Sequence, residues 1–123
     1  MSASDEIKKY TRQIQRNPYD AEAYYWRGTS YYKLEQYDRA IADLNKAIQI
    51  NPNFVDPYLR LGLAYMELAQ YDMAMFNFTK AIGINPNIDA SVYKIRGNCY
   101  KELGFYSKAQ ADFARARELG YDG

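Results

Sequence analysis

Apolar residues recur along this chain at the three- and four-residue spacing of amphipathic helices, in stripes separated by short polar breaks. In the first such block one stripe runs from Tyr24 to Leu34 and a second from Ala40 to Ile48. Two helices of about 14 residues with so short a connection form an antiparallel hairpin. The pattern predicts three hairpins, with helices at 21–34 and 37–50, at 55–68 and 71–84, and at 90–103 and 106–119.

The same residues return at an interval of 34 positions. The dipeptide Asn-Pro begins at Asn17, at Asn51 and at Asn85. Each block also contains a Tyr-x-x-(Arg or Leu)-Gly-x-x-Tyr motif, followed by a further tyrosine, two alanines seven residues apart, and a leucine or phenylalanine between those alanines. A repeat of this period cannot bury its apolar face alone, so we expect the three hairpins to stack on one another.

Small residues occupy fixed places in the repeat. Gly28, Gly62 and Gly97 each cost about 1 kcal/mol in a helix interior, which is worthwhile only where another backbone approaches closely. We expect that approach to involve the alanines of the second helix, which are Ala40/Ala47, Ala74/Ala81 and Ala109/Ala116.

Two further positions predict where helices end and begin. The prolines at 18, 52 and 86 are expected to end the preceding helices, because the residue before proline avoids the helical region. Asp38, Asp72 and Ser107 stand in the first turn of each second helix, where we expect them to act as caps.

This combination of glycine, tyrosines, alanines and 34-residue spacing resembles the tetratricopeptide repeat (TPR) family. The resemblance covers residues 21–119 and implies an all-α fold, a right-handed α-solenoid within a single domain. It divides the chain into a capping helix at 5–16 and repeats at 21–54, 55–88 and 90–123. The third repeat departs from the pattern by a one-residue insertion before Gly97 and by Tyr121 in place of a closing proline.

One pair of positions varies together between repeats. Arg27 and Arg96 stand where the second repeat has Leu61. The residues sixteen positions later are Asp43, Asp112 and Asn77, respectively. An arginine on the first helix is therefore matched by an aspartate on the second, and we expect a partly buried salt bridge in repeats 1 and 3. The alternative is that these are unlinked surface charges.

Both ends of the array carry polar residues where stacking residues would otherwise stand. Glu6 and Gln13 replace alanines in the N-terminal helix, and Gln110 and Arg117 replace apolar residues in the last helix. These substitutions are typical of the polar caps that keep a solenoid soluble. Two alternatives stay open, a fragment of a longer array and a homodimer through the C-terminal end, where we expect Leu119 and Tyr121 to be partly exposed.

Composition narrows the function classes. The net charge of +1 does not favour nucleic acid or an anionic membrane, and no apolar run is long enough for membrane insertion. The N-terminus lacks the layout of a signal peptide, although a cleaved signal peptide would leave no trace in this sequence. The lone Cys99 fits a reducing compartment. We therefore expect a cytoplasmic location. There is no histidine, no phosphate-binding loop and no cluster of metal ligands, so we expect neither a cofactor nor an enzyme.

The TPR resemblance implies that the first helices line a concave groove that binds a partner protein. The candidate groove residues are Tyr25, Thr29, Tyr32, Leu59, Leu63, Met66, Lys94, Asn98 and Lys101. This set has an apolar centre and a basic end, which suits an extended or helical segment with hydrophobic anchors and an acidic flank. The alternative is that the apolar members pack between adjacent repeats and form no binding groove.

Some TPR domains grip a C-terminal carboxylate with lysine, asparagine and arginine side chains. The matching places here hold Tyr25, Thr29, Arg60, Ser91 and Ile95. Only Arg60 among them can bind an anion, so a carboxylate clamp is not expected. The sequence therefore predicts an adaptor or scaffold for protein–protein interaction. The alternatives are a chaperone of secreted or pilus-type substrates and a self-associating structural protein.

Overall fold

The computed structural model describes residues 1–121, and this part of the chain is helical with no strand. The helices are α1 (Ala3–Arg16), α2 (Ala21–Lys33), α3 (Tyr37–Ile50), α4 (Val55–Glu67), α5 (Tyr71–Ile84), α6 (Ala90–Glu102) and α7 (Tyr106–Glu118). Helices α2 and α3, α4 and α5, and α6 and α7 pack as hairpins. Neighbouring hairpins stack α3 against α4 and α5 against α6. The expected all-α solenoid is confirmed.

The helix bounds lie within two residues of those expected from the sequence. The largest difference is at α1, which begins at Ala3 because Ser2 and Asp5 form a reciprocal capping box. Within residues 1–121, no helix has both the length and the apolar content that crossing a bilayer requires.

The Asn-Pro pairs end α1, α3 and α5 as expected. Asn17, Asn51 and Asn85 are the C-caps of these helices, and each has an extended backbone. The Oδ1 atom of each asparagine accepts a hydrogen bond from the amide two residues later, at 3.1, 3.3 and 3.2 Å. Asparagine thus stabilises the turn, and the following proline prevents the preceding helix from continuing.

The glycine of a first helix lies against the large side chain of the second helix. A Cβ atom added to Gly62 would lie 2.5 Å from Cε1 of Phe78, whose side chain is 1% exposed. At Gly28 the nearest atom would be Cγ of Leu44 at 3.0 Å, with the carbonyl oxygen of Ala40 at 3.2 Å. Ala40 approaches Gly28 as expected, but the nearest atom there belongs to the larger side chain of Leu44, and at Gly62 the ring of Phe78 fills this space.

We expect Gly62→Ala to lower the free energy of unfolding by about 2 kcal/mol, because overpacking against Phe78 outweighs the better helix propensity of alanine. The matched control is Gly83→Ala in α5, where an added Cβ would have no neighbour within 4 Å. The control should raise the free energy of unfolding by about 1 kcal/mol. Urea denaturation measures both changes, and changes of equal sign would contradict this account.

The Arg–Asp salt bridges inside repeats 1 and 3 are present. Nε and Nη2 of Arg27 each donate a hydrogen bond of 2.8 Å to the carboxylate of Asp43. Arg96 and Asp112 form the same two-bond pair at 2.8 and 2.7 Å. The carboxylates are 9% and 6% exposed, so each relies on its arginine to neutralise a charge that is largely removed from water. In repeat 2 the position of Asp43 is taken by Asn77, whose Nδ2 donates 2.9 Å to the carbonyl oxygen of Met73.

A double-mutant cycle tests the pair in repeat 1. We expect Arg27→Leu alone to cost about 3 kcal/mol of stability, because it leaves the carboxylate of Asp43 buried without a partner. The double variant Arg27→Leu/Asp43→Asn, which reproduces repeat 2, should cost at least 1 kcal/mol less than the sum of the single changes, estimated roughly. Additive costs in thermal and chemical unfolding would show that the two residues are not coupled.

The tight turns inside the hairpins make little use of the side-chain caps expected from the sequence. The N-caps of α3, α5 and α7 are Gln36, Gln70 and Phe105, and none of their side chains makes a capping hydrogen bond. Asp38 and Asp72 lie within the first turn, where their charge favours the helix dipole. Oδ1 of Asp72 also accepts a hydrogen bond of 2.9 Å from the amide of Met73, so the capping prediction is confirmed there. For the side chains of Asp38 and Ser107 it was wrong.

Residues in the left-handed region set these turns instead. The residue that follows the C-cap of the first helix is Glu35, Ala69 or Gly104, with φ of 59°, 56° and 82°. The amide one residue later bonds back to the carbonyl of Tyr31, Tyr65 or Tyr100, at 3.0, 2.9 and 2.8 Å. The backbone therefore closes the turn through the amide of Gln36, Gln70 or Phe105, without a side-chain cap from these N-cap residues.

The N-terminal helix is tied to α2 by a residue expected to be on the outside. Oε2 of Glu6 accepts a hydrogen bond of 2.8 Å from Oγ of Ser30 and lies 3.7 Å from Nζ of Lys33. Glu6 is half-buried, so its interpretation as an outward-facing polar residue was wrong. At the other end, Gln110 and Arg117 are exposed as the capping hypothesis expects.

Candidate functional site

A depression of about 310 Å³ opens on the face formed by α2, α4 and α6, which we call the first-helix face. Its lining residues are Tyr25, Asp56, Leu59, Arg60, Leu63, Phe78, Asp89, Ser91, Val92 and Ile95. Three helices contribute to its wall, and Phe78 reaches it from α5. The lining combines a largely apolar floor with two carboxylates and one guanidinium, an arrangement typical of sites that hold an apolar group in a fixed orientation.

Of the nine candidate groove residues, the structure brings Tyr25, Leu59 and Leu63 together in this depression. Tyr25 is 7% exposed, and its ring centroid lies 5.3 Å from that of Phe54, the N-cap of α4. Leu59 and Leu63 are half-buried and pack against the core shared by repeats 2 and 3. These leucines therefore hold repeats together and also keep part of their surface open to the depression.

Thr29, Tyr32 and Met66 lie outside the depression. Thr29 is 3% exposed, and its Oγ1 atom makes no hydrogen bond within the described residues. Tyr32 packs edge-on against Tyr37 with ring centroids 5.5 Å apart. Met66 is half-buried against the core of repeats 2 and 3. These contacts support the alternative that some of the candidate residues pack between elements of the stack.

The guanidinium of Arg60 lies over the ring of Tyr32, 5.4 Å from its centroid. Burial raises the pKa of the Tyr32 hydroxyl, the carboxylate of Glu67 raises it further, and Arg60 opposes the change. The contact orients Arg60 across the boundary between repeats 1 and 2 while its charge stays available at the edge of the depression.

Lys94, Asn98 and Lys101 stand apart at the C-terminal end of the first-helix face. The Nζ atom of Lys94 lies 4.6 Å from the ring centroid of Phe113, so this lysine covers an aromatic ring of its own repeat. Asn98 and Lys101 are exposed. These three residues are the repeat equivalents of Leu59, Leu63 and Met66. No fourth hairpin follows them among residues 1–121.

Several lining residues were not among the candidate groove residues. Asp89 forms the N-cap of α6 and accepts a hydrogen bond of 2.8 Å from the amide of Ser91. Hydrogen bonds from the side chain and backbone of Ser91 lower the pKa of Asp89, so this rim carboxylate is charged over most of the pH range. Val92 and Ile95 were also missed. Ile95 is the repeat equivalent of Arg60. The replacement of this charged residue by isoleucine could have predicted that Ile95 is in contact with other residues.

The lone thiol of the chain is a packing group. Cys99 is fully buried in the core of repeats 2 and 3. Burial, with a smaller effect of Glu102, raises the pKa of the Cys99 thiol to about 11. A thiol that stays protonated is a poor nucleophile. Within residues 1–121, no three potential metal-ligating side chains of the His, Cys, Asp and Glu types come together.

We expect Cys99 in the native protein to be unreactive toward a thiol reagent such as 5,5′-dithiobis(2-nitrobenzoate) at pH 8, because both burial and protonation protect it. The same sample in concentrated guanidinium should react completely within minutes. Rapid labelling of the native protein at pH 8 would show that the hairpin of α6 and α7 opens easily.

Comparison with known proteins identifies the family. The family model described as "TPR repeat" matches residues 28–69, and two models described as "Tetratricopeptide repeat" match residues 10–42 and 55–88. The chain belongs to the tetratricopeptide repeat proteins. A search of curated protein sequences finds no match to this chain.

Solved structures of MamA share the fold. The crystal structure of MamA is 29% identical, with a TM-score of 0.90 over 95% of this chain and 68% of that one. MamA MSR-1 is 27% identical, with a TM-score of 0.81 over 95% and 67%. The MamA RS-1 ArsTM double mutant shows the same fold at 21% identity, with a TM-score of 0.87 over 95% and 65%.

This chain spans about two thirds of the length of these MamA chains. The repeat architecture and these neighbours support a protein–protein interaction or scaffold module, a class that is generally not enzymatic.

Proposed function

We propose that the first-helix face binds a segment of a partner protein, which places an apolar side chain in the depression between α4 and α6. The observation that carries this proposal is the lining of the depression. Tyr25, Leu59, Leu63 and Ile95 supply apolar surface from three successive first helices. The hollows beside Glu35–Arg39 and along α1 are lined mainly by polar and charged side chains, whereas this depression has a mostly apolar lining that stays open to solvent.

The volume and the polar rim limit what the depression accepts. A space of about 310 Å³ holds one large aliphatic or aromatic side chain with some of its backbone. The carboxylates of Asp56 and Asp89 and the guanidinium of Arg60 stand around this space and can pair with backbone or side-chain groups of the segment. Lys94, Asn98 and Lys101 continue the same face and favour an acidic flank on the segment.

Recognition of a terminal carboxylate does not fit this site. The positions that a carboxylate clamp requires hold Tyr25, Thr29, Arg60, Ser91 and Ile95. Tyr25 and Thr29 are buried, and Arg60 lies over the ring of Tyr32. We infer that an internal segment of the partner is bound through its apolar side chain, and that a free C-terminus adds little.

The test begins with a phage-displayed library of random 12-residue peptides selected on the immobilised protein. We expect the selected peptides to share a leucine, isoleucine, methionine or phenylalanine. The variant Ser91→Trp should weaken their binding about tenfold or more, because the indole fills the depression without removing a core side chain. Fluorescence anisotropy with a labelled selected peptide measures the affinity.

The matched control is Asn45→Trp, which adds the same ring at an exposed position of α3, away from the first-helix face. It should bind the selected peptides like the unmodified chain. Circular dichroism checks that both variants are folded. Equal affinities for the two tryptophan variants, or a failure to select any peptide, would refute the proposed site.

A further inference from the structure

Within residues 1–121, no hairpin covers the positions of repeat 3 whose counterparts in repeats 1 and 2 pack against the next hairpin. In repeat 1, Tyr25 contacts Phe54, and Ile48 packs into the core of the following repeat. In repeat 2, Leu59 and Ile82 pack into the core shared with repeat 3. We call the equivalent residues of repeat 3 the C-terminal face; they are Lys94, Asn98, Lys101, Tyr106, Gln110, Phe113 and Arg117.

The C-terminal face keeps aromatic surface that the other repeats bury. Tyr106 is 64% exposed, whereas its equivalents Tyr37 and Tyr71 are half-buried. Phe113 is half-buried, whereas its equivalent Phe78 is 1% exposed. Gln110 and Arg117 are polar replacements, but Tyr106 and Phe113 are still aromatic. This end therefore keeps apolar surface that can pack against a helix.

The charges on the C-terminal face have one sign. Lys94, Lys101 and Arg117 are cations, and no carboxylate stands at any of the seven positions. The nearby carboxylate of Glu118 is already paired with Arg115 at 3.2 Å, and Glu102 follows Lys101 at the end of α6. Solubility alone requires polar residues and does not require a single sign of charge.

A second copy of this chain is a poor match for this face. The outer side of α1 at the opposite end is also basic, with Lys8, Lys9, Arg12 and Arg16 against Asp5. Two C-terminal faces, or a C-terminal face and this outer side, would bring like charges together, which costs several kcal/mol at an interface. Charge complementarity therefore favours an acidic partner over self-association at the ends.

We propose that the C-terminal face binds an acidic amphipathic helix of a partner protein, which packs where the first helix of a fourth repeat would lie. The apolar stripe of the helix covers Tyr106 and the part of Phe113 that Lys94 and Gly97 leave open. Its carboxylates pair with Lys94, Lys101 and Arg117. This mode is helix-in-groove recognition, with the open end of the solenoid as the groove. The inference does not require the depression on the first-helix face to bind anything.

The repeats themselves supply the probe. Helix α4 packs on repeat 1 with Phe54 against Tyr25 and with Arg60 over Tyr32. The equivalents of Tyr25 and Tyr32 on the C-terminal face are Lys94 and Lys101. A helix-stabilised peptide of residues 53–68 with Phe54→Glu and Arg60→Glu therefore sets two carboxylates opposite these lysines. The matched control peptide carries Phe54→Lys and Arg60→Lys.

We expect the glutamate peptide to bind the full chain about tenfold more tightly than the lysine peptide at low salt, and the difference to shrink at high salt. The protein variant Lys101→Gln/Arg117→Gln should lose most of that difference. The variant Lys46→Gln/Lys80→Gln, which removes two cations from α3 and α5, should keep it. Fluorescence anisotropy measures each affinity.

Three results would overturn the inference. Equal binding of the two peptides, or no binding of either, would mean that the face is only a solubilising cap. Dimerisation of the chain at micromolar concentration that Lys101→Gln/Arg117→Gln abolishes would assign the face to a second copy. The variant Ser91→Trp separates this site from the depression, because it should leave the glutamate peptide bound.

Discussion

In each hairpin, one large side chain of the second helix fills the space that a glycine leaves open on the first helix. The contact is tightest for Phe78 against Gly62 and for Phe113 against Gly97, where the ring lies 2.5 Å from the position that a Cβ would take. The contact fixes how close the two helices come and so where the remaining side chains of the first helix point. The side chain that fills the space is leucine in repeat 1 and phenylalanine in repeats 2 and 3, and this contact positions the first helices that line the depression.

In a stacked array, the burial of a repeat position depends on whether another hairpin packs against it. Leu59 and Leu63 look out of place on an isolated helix, but the next hairpin half-buries them. Their repeat equivalents Lys94 and Asn98 have no hairpin after them among the described residues and are polar. One structural position therefore serves as packing surface inside the array and as solvent-facing surface at its end. The basic end of the first-helix face therefore coincides with the last repeat of the described stack.

Repeat-to-repeat comparison within the chain predicted more than residue properties alone. The covariation of arginine with aspartate predicted the pairs of Arg27 with Asp43 and of Arg96 with Asp112, because a buried carboxylate requires a partner. The same comparison was less successful at the turns, where Asp38, Asp72 and Ser107 were expected to cap and only Asp72 binds a first-turn amide. Left-handed residues such as Glu35 and Gly104 close those turns through the backbone, and only glycine signals that conformation in a sequence.

The sequence by itself determined the helices, their pairing and the class of protein, because the helical spacing of apolar residues is a local pattern and occurs in all three repeats at an interval of 34 residues. It also placed Tyr25, Leu59 and Leu63 among nine candidate groove residues. Only the tertiary structure decided that these three share a depression with Asp89 and Ile95, and that Glu6 bonds to Ser30. Those contacts join different helices, and their distances follow from how the hairpins stack.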